Sequence, residues 1–166
     1  RRVQLLKLAG LKPVVVPSRV PESRLKGERP SAMVQRLAHA KAYEVRARLA
    51  LNGAREGWVL GADTTVVLGK QVLEKPKGPK DAARMLAALS GKAHQVLTGV
   101  SLLPIHRAMP LLFAESTKVA FRRLGPAEIK AYVATGEPLD KAGGYGIQGG
   151  AAAFVRRIEG DYSNVV

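Results

Sequence analysis

One carboxylate and a few scattered cations are the side chains whose type and setting could do chemistry. Asp63 lies in Gly61-Ala62-Asp63-Thr64-Thr65, directly after the apolar run Trp58-Val59-Leu60. A carboxylate at the end of a buried strand sits at a sheet edge, where α/β proteins commonly bind ligands. A rigid strand also suits a metal ligand or a general base. On these residues alone the plainer account is a turn aspartate satisfying backbone N–H groups. Lys75, in Leu73-Glu74-Lys75-Pro76, is fixed beside a proline and could reach a phosphate, or simply face solvent. Lys41 stands among alanines in Ala38-His39-Ala40-Lys41-Ala42, on a face where small residues let another element approach closely. Gln148 is set in the glycine-dense run Gly143-Gly144-Tyr145-Gly146-Ile147-Gln148-Gly149-Gly150, whose backbone can come close to a ligand. An amide offers both a donor and an acceptor, which suits the edge of a base. A flexible connector is the plainer account of that run, although it explains the Tyr, Ile and Gln less well.

Several chemistries are excluded. Neither Gly69-Lys70 nor Gly91-Lys92 is followed by Ser or Thr, so there is no Walker A segment. There is no G-x-S-x-G elbow and no H-E-x-x-H. His39, His94 and His106 are far apart and lack zinc-ligand spacing. The chain has no cysteine, which removes disulfides and thiolate chemistry and fits a reducing cytoplasm.

The elements that must position these residues follow from periodicity. Helical spacing covers residues 1–9, stopped by Gly10. Residues 14–16, three valines between Pro13 and Pro17, read as a buried strand. Residues 18–30 read as a polar loop. Ser31 is placed to cap a helix over about residues 32–51, with Val34, Leu37, Ala38, Val45 and Leu49 inward. Strands are expected at 58–60 and 65–68, a helix at 79–90 and a long strand at 94–103. Residues 111–121 should be the antiparallel neighbour of that long strand. A helix then runs from 127 to 134, and strands are expected at 153–158 and 162–166. Helices alternate with strands only in the first half, which predicts an α/β fold with a mixed sheet and helices packed on it.

The bulk numbers allow one domain: 166 residues, 46% hydrophobic and 24% charged. No apolar run approaches the roughly 18 to 20 residues that span a bilayer, and no signal-peptide pattern opens the chain. Lys and Arg number 27 against 13 Asp and Glu, a net charge of +14. That field concentrates anions. Nucleic acid and phosphorylated small molecules both answer to it, but 5% aromatic residues and the lack of a recognition-helix or stacking-sheet signature argue against nucleic acid. Arg1 is not a methionine and the chain stops on Asn164-Val165-Val166, so both ends are expected to be truncated.

Taken in order, these motifs resemble the Maf family. They are Arg1-Arg2, residues 14–22, Leu37-Ala38-x-x-Lys41-Ala42, Leu60-Gly61-Ala62-Asp63-Thr64, Glu74-Lys75-Pro76, Leu89-Ser90-Gly91-x-x-His94-x-Val96-x-Thr98-Gly99-Val100, Glu137-Pro138-Leu139-Asp140-Lys141-Ala142-Gly143 and Tyr145-Gly146-Ile147-Gln148-Gly149. The resemblance runs almost the whole length. Two family features are missing: the Ser-Pro ahead of the arginine pair, and the segment continuing past Val166. Members are nucleotide pyrophosphatases, historically linked to inhibition of septum formation in bacteria.

The resemblance implies an elongated mixed β-sheet with flanking helices and two lobes around a cleft, as in inosine triphosphate pyrophosphatases. It implies hydrolysis of dTTP or UTP to the monophosphate and pyrophosphate. A related branch acting on 7-methyl-GTP lacks the Tyr-Gly-Ile-Gln-Gly run, and a purine preference on the same fold is the other alternative. Asp63 matches the proton acceptor. Arg1, Thr64 and Gln148 match positions tied to pyrimidine selectivity, and Glu22, Lys41 and Lys75 match charged positions lining the cleft. Arg1, Arg2, Lys41 and Lys75 would then neutralise phosphates, while Asp63 and Glu22 would hold a divalent Mg²⁺ or Mn²⁺ ion. A cytoplasmic location and a homodimer are further expectations.

Overall fold

The structure is a computed structural model that describes residues 1–106 and 109–166. Helix α1 covers Arg2–Leu8 and α2 covers Pro30–Leu51; β1 runs through Trp58–Leu68 and β2 through Gln71–Leu73. Then come α3 at Pro79–Leu89, β3 at Ala93–Pro104, β4 at Leu111–Phe121 and α4 at Pro126–Ala134. Three short 3-10 turns occupy Glu137–Asp140, Ala142–Gly144 and Gly150–Phe154 before β5 at Val155–Glu159 and α5 at Tyr162–Val165. The strands form one sheet in the order β2-β1-β3-β4-β5. β2 pairs antiparallel with β1 and β5 antiparallel with β4. The α/β expectation stands, and among the described residues no helix is long and apolar enough to cross a membrane.

Two compact units divide the chain, and β1, β3 and β4 each contribute residues to both. One unit is Arg1–Asp63 with Thr98–Glu115, the other Thr64–Leu97 with Ser116–Val166.

In the first unit, α2 presents Met33, Val34, Leu37, Ala38, Ala42 and Val45 to the interior. Ala42 and Val45 pack with Val59 of β1 and Leu103 of β3. The helix approaches two strands unusually closely, at a glycine on each. A Cβ on Gly61 would stand 2.2 Å from the Ala38 carbonyl oxygen, and one on Gly99 would stand 2.1 Å from that of Val34. Only glycine admits another backbone at that distance. The helix starts two residues earlier than Ser31 suggests. Pro30 is its first residue, where a fixed φ and a missing N–H suit the helix start, and Arg29 precedes it without a side-chain cap.

Residues 14–16 are not a strand. Val14 and Val15 are 87% and 66% exposed, and side chains of α2 hold the segment that follows them. Arg48 donates to the Pro17 carbonyl at 2.7 Å, and the Arg19 N–H donates to Glu44 at 3.3 Å. With a proline at either end, these valines cannot keep up a ladder of backbone hydrogen bonds.

In the second unit, α3 and α4 cover a core of Val66, Leu73, Met85, Leu86, Leu89, Val96, Val119 and Phe121, closed by Tyr132, Tyr145 and Phe154. Residues 153–158 begin as the last 3-10 turn and become strand only at Val155. Where a strand was expected at 162–166, Tyr162–Val165 form α5. Asp161 accepts from the Ser163 N–H at 2.6 Å, an N-cap that commits the chain to helix. Asn164 then ties this helix down by donating to the Val96 carbonyl and to Thr117.

Candidate active site

Asp63 stands on β1 with its side chain inward, and the residue is only 8% exposed. Burying a carboxylate is costly unless a charge partner comes with it. That partner is Lys41 of α2, whose Nζ lies 2.7 Å from Asp63 Oδ1. It can reach because Ala38 and Ala42 flank it on the helix face that Gly61 lets in. The same ammonium lies 2.5 Å from Glu22 Oε1, so two carboxylates converge on one cation.

Glu22 belongs to the coil between α1 and α2, so something other than a ladder must hold it. Arg36 of α2 does most of this, donating to both oxygens of Glu28 and to the Ser23 carbonyl at 3.0 Å. Glu28 also accepts the Leu25 N–H, and Arg24 donates to the Glu28 carbonyl at 2.7 Å. The hydrogen bonds from Arg36 hold the Glu28 carboxyl down to about 2, so this brace persists through neutral and mildly acidic pH. Arg36 itself feels Asp63 as well as Glu28, although nothing in its sequence position marked it as part of the site.

Arg2 completes this group from the start of α1. Its guanidinium donates to the Ala62 carbonyl at 2.9 Å, one residue before Asp63. Desolvation lowers its pKa below the ordinary arginine value, while Asp63 and Glu22 pull it back up and Arg1 adds to the lowering. Arg1 is the residue that precedes the first turn of α1. The structure therefore brings Arg2, Glu22, Lys41 and Asp63 into one charged group, with Arg1 beside Arg2.

Hard oxygen ligands suit Mg²⁺ or Mn²⁺, and Asp63 and Glu22 supply two carboxylates that already meet at a single positive point. Among the described residues no cluster of three or more His, Asp or Glu side chains is placed to hold an ion. Two carboxylates alone would leave such an ion to take its remaining ligands from water and a phosphorylated substrate.

Thr64, Lys75 and Gln148 belong to the second unit. Thr64 follows Asp63 on β1 and is half-buried. Lys75 is exposed in the segment after β2, and that segment is fastened to the glycine-rich loop: the Gly143 N–H donates to the Glu74 carbonyl at 3.1 Å. Along the loop Tyr145 and Ile147 are each 5% exposed, while Gln148 faces out. The glycine run is thus a built turn with two anchors in the core and one amide presented.

Sequence reasoning missed what builds it. Tyr132 of α4 donates its hydroxyl to Glu137 Oε1 at 2.9 Å and accepts the Gly146 N–H at 3.1 Å. Glu137 Oε2 accepts the Gly150 N–H at 3.0 Å. No local spacing signals contacts between residues this far apart in the chain.

Comparison with known proteins gives one consistent outcome. The family described as Maf-like protein matches residues 1–166. A dTTP/UTP pyrophosphatase of Moorella thermoacetica is 51% identical over 166 residues, which is the whole of this chain and 83% of the relative. One from Geobacillus sp. (strain WCH70) is 49% identical, again over the whole chain and over 86% of the relative. A third, from Geobacter sulfurreducens, is 47% identical over 167 residues, covering 84% of its length.

Proposed function

Since this chain belongs to the Maf-like protein family, we propose that it hydrolyses dTTP and UTP to the monophosphate and pyrophosphate, acting in the cytoplasm where such nucleotides are made and spent. Relatives near 50% identity that carry the name dTTP/UTP pyrophosphatase support the substrate class. The observation that carries the chemistry is the Lys41 ammonium held between Asp63 and Glu22 at 2.7 and 2.5 Å, with Arg2 alongside.

A nucleoside triphosphate brings roughly four negative charges, which repel an attacking water until cations offset them. Arg1 and Arg2 suit bidentate contact with phosphate oxygens, and Lys41 and Lys75 act as point charges. A divalent ion held by Asp63 and Glu22 would add charge neutralisation and phosphate orientation. Asp63 takes the proton of the water that attacks the α-phosphorus. The bond from that phosphorus to the oxygen bridging α and β breaks, and pyrophosphate leaves. Thr64 and Gln148 contact the pyrimidine edge. Lys41 pairs with both carboxylates, so an incoming polyanion competes for its ammonium and frees them for this work.

Pyrophosphate release from a panel of nucleoside triphosphates tests the reading. The dTTP and UTP rates should exceed those for purine triphosphates and 7-methyl-GTP, and a purine-first ranking would overturn the substrate assignment. Asp63→Asn keeps the volume and removes the base, so turnover should fall by about 10²- to 10⁴-fold with a cooperative melt retained. Full activity in that variant would remove Asp63 from the reaction.

A further inference from the structure

We infer that Glu137 and Tyr132, neither of which is expected to touch the nucleotide, are positioning residues that set base selectivity by holding the turn that presents Gln148. This rests on the proposed role of Gln148 at the pyrimidine edge.

The turn is suspended from both ends. Gly146 hangs from the Tyr132 hydroxyl at 3.1 Å and Gly150 from Glu137 Oε2 at 3.0 Å. Between them the Gly149 N–H closes onto the Gly146 carbonyl at 3.1 Å. Gln148 lies inside this closed span. Tyr132 and Glu137 are joined by their own 2.9 Å hydrogen bond, so the two anchors form one chain of donors and acceptors from Gly146 to Gly150.

Glu137 also shapes the turn by filling space. A Cβ on Gly149 would stand 2.1 Å from Glu137 Oε1, and one on Gly146 would stand 2.7 Å from Lys141 Cε and 2.9 Å from Glu137 Oε1. Both glycines therefore pack against this carboxylate and its neighbouring lysine. Lys141 is pinned in turn, donating to the Glu137 carbonyl at 2.5 Å and to Asp140 at 2.6 Å. A flexible connector would need none of these ties.

The carboxylate acts as acceptor at both ends. Glu137 accepts two hydrogen bonds through two different oxygens, one from Tyr132 and one from Gly150. A glutamine keeps one acceptor oxygen for Gly150 but turns an amide donor toward the Tyr132 hydroxyl, which reverses that tie and leaves the phenol proton without its acceptor while size is kept. Tyr132→Phe removes the middle of the chain and leaves the ring in place. A site that hydrogen-bonds its substrate loses discrimination when that geometry slackens.

The experiment measures kcat and KM for dTTP, UTP and dATP on Glu137→Gln, Tyr132→Phe and Gln148→Ala, with a thermal melt on each. For the first two we expect the preference for dTTP over dATP to drop about ten-fold through a raised KM for dTTP, with kcat within about two-fold. Gln148→Ala should lose preference in the same direction. If Gln148→Ala shifts selectivity and both anchor variants leave it unchanged, or lose all nucleotides equally, the positioning role is overturned while the base-contact role survives. Should Gln148→Ala itself leave selectivity intact, the base-contact role fails and the inference falls with it. Two anchor variants keep the test open if one of them fails to fold.

Discussion

His94 carries the consequence of burying a titratable ring without a countercharge. It is 2% exposed, its Nε2 lies 2.7 Å from the Tyr145 hydroxyl, and its Nδ1 has no partner among the described residues. Phe121 and Tyr145 stand edge-on to it at 5.0 and 5.3 Å. Desolvation pushes the imidazole down to about 4 from 6.5 and the Tyr145 phenol up. Above pH 6.5 the folded and unfolded chains both hold neutral histidine, so the full stability is present. As pH falls from 6.5 to about 4 the unfolded chain takes the proton and the folded one does not, so stability is lost across that window. The loss should total about 3 kcal/mol. Urea unfolding across the window should show it, and His94→Gln should flatten the slope. An imidazole titrating near 6.5 in the folded protein would contradict this. Asp63 solves the same problem of burial differently, with Lys41 as its partner. Each of the two residues stood out in the chain, as an Asp after an apolar run and a Lys among alanines, but their pairing across 22 positions did not. Tyr132 and Glu137 did not stand out, because their value lies in contacts with residues up to fourteen positions away.

Helix α2 is the element on which the charged group depends, and its placement rests on two missing side chains. Gly99→Ala puts a methyl 2.1 Å from the Val34 carbonyl oxygen, where backbone rather than a flexible side chain must yield. Overpacking of this kind costs about 1–3 kcal/mol or more. We expect Gly99→Ala to lower the melting temperature, whereas Gly125→Ala, with open space around it, should be nearly neutral. Equal stability of the two variants would mean that the helix is not seated as described. Long periodic elements such as α2, α3 and β3 could be read from the sequence because many residues vote for the same face. The failures came where a few residues were outvoted by tertiary ties. The valines at 14–16 have strand propensity but prolines on both sides and a neighbouring helix that grips the chain through side chains. The 162–166 segment yields to the Asp161 cap.

At the scale of the whole molecule, a net charge of +14 acts on the approach of a polyanionic substrate. Salt screens such attraction over a Debye length of about 10 Å at 0.1 M. On the proposed activity, kcat/KM should fall several-fold between about 20 and 300 mM salt, mainly through KM, with kcat changing little. A flat profile would show that the surplus cations do not steer substrate. Glu22, meanwhile, is mounted on a stretch with neither helix nor strand, secured to α2 by Arg36, Glu44 and Arg48 rather than by a backbone ladder. Such a stretch can come undone alone, because opening it breaks a handful of polar ties and uncovers little hydrocarbon. On the proposed activity, turnover can therefore lapse through loss of the Glu22 carboxylate alone while the helices and sheet remain standing.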